Sequence, residues 1–358
     1  MSGASARPGL APPWFVEYRR QIVWLVVVML TILAGAATAL GFASRPGAQP
    51  FAPQHPVVFL GSALVIAAYG FVFAVLVQRV GENIIGWIFG AFAVVVAFSN
   101  LAWGYLTYVT ETIPPRLPGA EAAGLLVVAL LPFWSFLLIA LVALFPDGRP
   151  LSRGWGRLVI AAFVVSVFAS LSLVFAEGPL PVHVMPTPLT LPGVAGELLS
   201  VAGPILVIVL LLLIMPAIWS LTVRYRAADD IGKLQLKWLV YAGCVLVVCS
   251  LAFWILAGSA YEPGSGGSTG IWLVACFGAI VVPIAASVAI LRYHLYEIES
   301  IISRTLVYGA LTAILAGIYT AGIRLFNWLF VELTGEDSDA ALVLTTLILA
   351  TTFTPIKS

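Results

Sequence analysis

Apolar runs of membrane-crossing length recur along almost the whole chain, and they constrain its fold more than any other feature. A helix needs roughly 20 mainly apolar residues to cross a ~30 Å hydrocarbon layer. Ten segments qualify: 21–43, 57–77, 83–109, 124–145, 158–176, 199–222, 238–257, 270–291, 306–330 and 340–353. A helix pairs its backbone amides within itself. An open strand in lipid cannot, and the alternating pattern of a membrane barrel is absent. The expected fold is all-α: a polytopic integral membrane protein of about ten transmembrane helices, with both termini cytoplasmic. Pro- and Gly-rich stretches at 44–56, 113–119, 178–193 and 263–269 punctuate the spans. The first run is longer than a signal-peptide core and reads as a retained anchor. The tenth is short, and without it the C-terminus would change sides.

Composition excludes the main alternatives. Hydrophobic residues make up 61% of the 358 and charged residues only 9%, against about a quarter charged in soluble domains. So few charges cannot cover a soluble enzyme, and so apolar a chain is not disordered. With a net charge of +1 and no basic patch, nucleic-acid binding is not expected.

Orientation follows from the cations, because Lys and Arg accumulate in cytoplasmic loops. With the N-terminus inside, fourteen of the 17 Lys and Arg fall on inner segments, Arg45 and Arg116 fall outside, and Arg324 lies within a span. Trp24, Trp87, Trp155, Trp219 and Trp238 mark inner boundaries, and Trp254, Trp272 and Trp328 mark outer ones. The organisation expected is a cytoplasmic tail (1–20), an eight-span membrane block (21–291), a juxtamembrane linker helix (292–304) and a two-span hairpin (305–358).

Polar residues are too sparse for an active site. Cys244, Cys249 and Cys276 lie inside spans, without metal or disulfide spacing, and are expected to pack in apolar surroundings. His55 and His183 share the outer side, where a metal or pH-sensing pair is conceivable but solvated loop histidines are the preferred reading; His294 follows span eight. No GxSxG or HExxH occurs. The Gly-rich run 264–270 lacks the Lys of a phosphate loop and reads as a flexible connector. Arg324 sits near the outer end of span nine, where it can snorkel to the headgroups. Asn100 is placed to hydrogen-bond across helices. With no acid near the bilayer midplane, an ion-coupled carrier is disfavoured. No catalytic, cofactor-binding or metal residue is expected.

Small residues encode close helix packing in lipid. Span nine carries Gly309, Ala313, Gly317 and Ala321 at a spacing of four; span one has Gly35, Ala39 and Ala43, and span three has Gly86 and Gly90. Packing within one subunit is the default reading of the span-nine stripe, and dimerisation is the alternative.

The inner segments hold the most distinctive text. Span three starts Asn83-Ile84-Ile85-Gly86-Trp87. Span four ends in Phe145-Pro146-Asp147-Gly148-Arg149-Pro150, where Pro and Asp-Gly favour a tight turn. After span six come Arg224-Tyr225-Arg226 and Gln235-Leu236-Lys237-Trp238. After span eight, residues 292–308 read RYHLYEIESIISRTLVY. Leu295, Ile298, Ile301, Ile302 and Leu306 follow helical spacing opposite Glu297, Ser300 and Arg304, as in an amphipathic helix lying on the membrane surface. The Pro-rich outer loop 177–197 is the best place to seek a ligand contact, although a plain connector is the simpler reading.

The 292–308 stretch resembles the juxtamembrane text of a family of bacterial membrane-bound sensor histidine kinases, close to RYRLYDIDxxINRTLVYG. The N-x-x-G-W start of a span, the FPDGR turn and the Q-L-K-W loop are similar to the same family and occur in the expected order. Departures are Glu297 and Glu299 in place of Asp and Ser303 in place of Asn. The resemblance, over about residues 57–358, implies a transmembrane sensory module of a two-component system in the bacterial cytoplasmic membrane. Arg292, Tyr293, Leu295, Tyr296, Ile298, Arg304, Thr305 and Tyr308 would form its signal-transmission linker. The family's phosphoacceptor helix and ATP-binding domain have no counterpart in these residues, so the chain reads as a sensor part, truncated or encoded alone. The partners expected are the lipid bilayer, a second copy in a homodimer, and a cytoplasmic kinase core in cis or in trans. A scaffold that recruits a partner and a small-molecule permease are the alternatives.

Overall fold

The computed structural model describes residues 13–44, 57–79, 83–112, 118–177, 189–259 and 267–291. These residues form eight helices and no strand: α1 (Pro13–Ala43), α2 (Val57–Arg79), α3 (Ile84–Thr112), α4 (Ala120–Leu144), α5 (Arg153–Phe175), α6 (Val194–Ala227), α7 (Asp230–Ser259) and α8 (Gly267–Leu291). All eight are long and apolar enough to cross a membrane. The ninth and tenth runs, the linker and the span-nine stripe lie outside the described residues.

The helices overrun the apolar segments that predict them. The 1–20 tail is already helical from Pro13, and α7 begins at Asp230 rather than at Trp238. A helix keeps its backbone bonds whether its side chains meet lipid or water, so it continues to a capping residue. Asp229 is such a cap, with its Oδ1 accepting from the Gly232 amide at 2.8 Å. For the same reason the expected connector 264–270 is helical from Gly267, and the outer-loop range ends inside α6. The described ends of that loop are tied together by Leu191 N–H to the Phe175 carbonyl and Glu177 N–H to the Gly196 carbonyl, both 3.2 Å.

Side-chain volume decides how the helices neighbour one another. α2 is central, touching α1, α3 and α8; α3 continues to α4, and α4 to α5 and α6. α7 pairs with α8 and scarcely meets α6, although only Ala228 and Asp229 separate those two helices. Phe59, Phe73, Phe89 and Phe145 are fully buried. Tyr69 meets Phe89 and Phe92 at ring separations of 5.6 and 5.3 Å. Large apolar side chains such as Leu25, Phe71, Leu198 and Met215 point outward around the bundle. A soluble protein rarely shows so much contiguous apolar surface, whereas lipid accepts it.

Close approach occurs on α3 where the small residues predict it. A Cβ on Gly90 would lie 2.6 Å from the Phe73 ring, and one on Gly86 would lie 2.9 Å from Val77. On α1 the predicted face is wrong. Gly35 and Ala39 are exposed, and Ala34, Ala37 and Gly41 form the packed side. Cys249 and Cys276 are buried as expected, but Cys244 is exposed on α7.

Candidate functional site

One end of the bundle collects the charge. Every Lys and Arg among the described residues lies there: Arg19, Arg20, Arg79, Arg149, Arg153, Arg157, Arg224, Arg226, Lys233 and Lys237. Glu111, Glu121, Glu177 and Glu197 stand at the opposite end. The helix ends at the cationic pole are joined by hydrogen bonds that run through the sequence motifs.

The turn after α4 is the centre. Phe145 anchors it in the core, fully buried, and the Phe145–Pro146 peptide is cis. Gly148 closes the turn by donating its N–H to the Leu144 carbonyl at 2.8 Å, with φ at +73°. That φ disfavours any side chain. Space does too, because a Cβ there would lie 2.7 Å from Asn83 Oδ1 and 3.0 Å from the Ile84 nitrogen.

Asn83 works in two directions. Its Oδ1 accepts from the Ile85 amide at 2.9 Å and so caps α3, while its Nδ2 donates to the Pro146 carbonyl at 2.9 Å. One turn into α3, Gly86 lets the helix approach α2, and Trp87 stacks edge-on against Phe73 at 5.5 Å. These contacts account for Asn, Gly and Trp in the N-x-x-G-W text.

Arg224, in the last turn of α6, reaches the other side of the same turn. Its Nη2 donates to the carbonyls of Ala143 and Arg149, each at 2.7 Å. The Ala143 carbonyl belongs to the last turn of α4, where carbonyls lack helical partners and the helix dipole favours a cation. Asp147 adds an electrostatic attraction to the guanidinium. Among the described residues the one ion pair within 4 Å is Lys233–Asp230, at 3.4 Å.

On α7, Gln235 Nε2 donates to the Ala289 carbonyl at 3.0 Å, which joins the start of α7 to the end of α8. Leu236 is buried in the main core, and Trp238 packs at its edge. The structure thus brings together the N-x-x-G-W, FPDGR and Q-L-K-W motifs. Arg224 was legible as part of the Arg224-Tyr225-Arg226 text but not as the residue that holds the α4 turn, and Asp229 was not singled out, although an acid just before a helix marks a cap.

The remaining sequence candidates contribute less or lie elsewhere. Asn100 Nδ2 and Ser99 Oγ are buried on α3 without a hydrogen-bond partner, so the expected cross-helix bond from that amide is not made. A cross-helix bond does form where Ser170 of α5 donates to the Ala129 carbonyl at 2.8 Å, one turn before Pro132. Among the described residues no three His, Cys, Asp or Glu gather as a metal site. His55, His183, His294, Arg324, the linker set Arg292, Tyr293, Leu295, Tyr296, Ile298, Arg304, Thr305 and Tyr308, and the stripe Gly309, Ala313, Gly317 and Ala321 lie outside the described residues. Comparison with known protein families, curated proteins and solved structures finds no match.

Proposed function

We infer that this chain is the transmembrane input module of a two-component signalling protein in the bacterial cytoplasmic membrane. It passes a membrane or extracellular stimulus to a kinase core in the cytoplasm. The observation that carries the reading is convergence. Three motifs that each resemble sensor-kinase text meet at one pole: Asn83 bonds Pro146, and Gln235 and Leu236 border a cavity with Pro146 and Asp147, at the end where α8 stops at Leu291, directly before the 292–308 text. A displacement of α3, α4 or α6 therefore acts on helix ends tied together beside the exit of the chain. A ligand, lipid or tension that favours one of two arrangements would shift their populations. The cationic pole supports a cytoplasmic placement of that cluster. A second copy and a kinase core, in cis or in trans, complete the reading.

The test is a chimera of the full chain with a known phosphoacceptor and ATP-binding core, assayed for autophosphorylation in membranes. Loosening the cluster with Arg224→Met is expected to change the rate at least fivefold, while the lipid-facing Leu212→Ala leaves it within twofold. Equal rates in all three proteins would overturn the reading.

A further inference from the structure

Beside Arg224 the cluster borders an open cavity of about 340 Å³. Pro146, Leu151 and Leu236 give it an apolar wall, and the exposed carboxylates of Asp147 and Asp229 flank it. Asp229 spends one oxygen capping α7 and has the other free of that bond. Arg224 lines the cavity and is only 6% exposed, yet its Nε–H is buried without an acceptor. A buried N–H of a charged group left unpaired is costly and calls for a partner.

The position of the α8 terminus indicates what fills the space. Gln235, on the cavity wall, holds the Ala289 carbonyl at 3.0 Å, two residues before α8 ends at Leu291. The next residues are Arg292-Tyr293-His294-Leu295-Tyr296, with a full positive charge and no acid before Glu297. Five residues can extend about 17 Å. A cationic, aromatic-rich stretch thus begins beside a cavity with two carboxylates and an apolar wall.

We propose that this cavity is the seat of segment 292–296 of the same chain. Arg292 meets the Asp147 and Asp229 carboxylates, and Leu295 covers the Pro146–Leu236 wall. The docking deepens the input-module reading and rests on it for its purpose, since it would join the α4 turn directly to the signal-transmission linker. The docking itself is measurable without any kinase.

Disulfide trapping in membranes tests it, on the full chain with Cys244, Cys249 and Cys276 replaced by Ala. Ala228→Cys, on the cavity wall, paired with His294→Cys is expected to crosslink within one chain at least 10-fold faster than Arg157→Cys paired with His294→Cys. Adding Arg292→Glu should slow the first pair at least 10-fold, and Arg292→Lys should leave it within twofold. Maleimide labelling of Ala228→Cys alone is the second measure, and Arg292→Glu should speed it. Equal crosslinking of the two pairs, indifference to the charge at 292, or a crosslink between two chains would overturn the proposal. Trapping with no change in chimera output would contradict the input-module reading and leave docking standing; a change in output with no trapping would do the reverse.

Discussion

The Asn83 side-chain amide donates a 2.9 Å hydrogen bond to the carbonyl of Pro146, 63 residues further along the chain. The same side chain caps α3 through its oxygen. One residue thus sets both where a helix begins and where a distant turn is held, which is why removing it should be felt in two places.

Asn83→Ala loses a cap and a tertiary hydrogen bond, each about 1 kcal/mol, so about 2 kcal/mol of stability should be lost. Asn83→Asp keeps the cap and loses only the donor to Pro146, and should fall about halfway. Unfolding in detergent, followed by tryptophan fluorescence, would show the order; equal losses would mean that the capping oxygen contributes nothing.

Gly148→Ala should be among the most damaging single-methyl additions in the chain. It places a Cβ 2.7 Å from Asn83 Oδ1 at a φ of +73°, for a combined cost of about 2–3 kcal/mol. At Gly154 the nearest atom to a new Cβ is Ser152 Oγ at 3.6 Å, so Gly154→Ala should stay within about 0.5 kcal/mol. The same unfolding assay compares the two.

Arg224→Met removes two 2.7 Å charge-assisted bonds to the α4 turn and leaves the Ala143 carbonyl without that donor, at a cost of about 3 kcal/mol. Arg224→Lys keeps the charge but not the planar fork, and should recover only part of the loss. A protease nick in the turn, faster in Arg224→Met than in wild type, would locate the damage there.

Gly90→Leu should push α2 from α3, because even a Cβ at that position would lie 2.6 Å from the Phe73 ring. Gly35→Leu should be tolerated, since nothing lies within 4 Å of a Cβ there. Yield of folded protein after detergent extraction separates them; loss in both would mean that the exposed face of α1 has a partner.

The spans were legible because lipid imposes length and apolarity at once, and each of the eight described helices covers, to within one residue, the apolar run that predicts it. Their ends were less legible. Asp229 and Asn83 start helices by capping, and caps lie in polar text that hydropathy ignores. Small residues on α1 fall on two faces, Gly35 and Ala39 on one and Ala34 and Ala37 on the other, and spacing alone does not say which face meets α2 and α3. Arg224 was hidden most deeply. Its acceptors are carbonyls 81 and 75 positions away, and backbone carbonyls leave no mark in a sequence. The motifs around the FPDGR turn were visible as separate strings; their meeting in space depended on the helices that carry them.

The input-module reading places the clasp of Asn83, the FPDGR turn and Arg224 on the cytoplasmic side of the membrane. Asp147, exposed at the tip of that turn, is the position to probe. In a chain whose three native cysteines are replaced by Ala, Asp147→Cys is treated with a membrane-impermeant maleimide in intact cells and in opened membranes. Labelling is expected only after the membranes are opened; labelling in intact cells would contradict that placement.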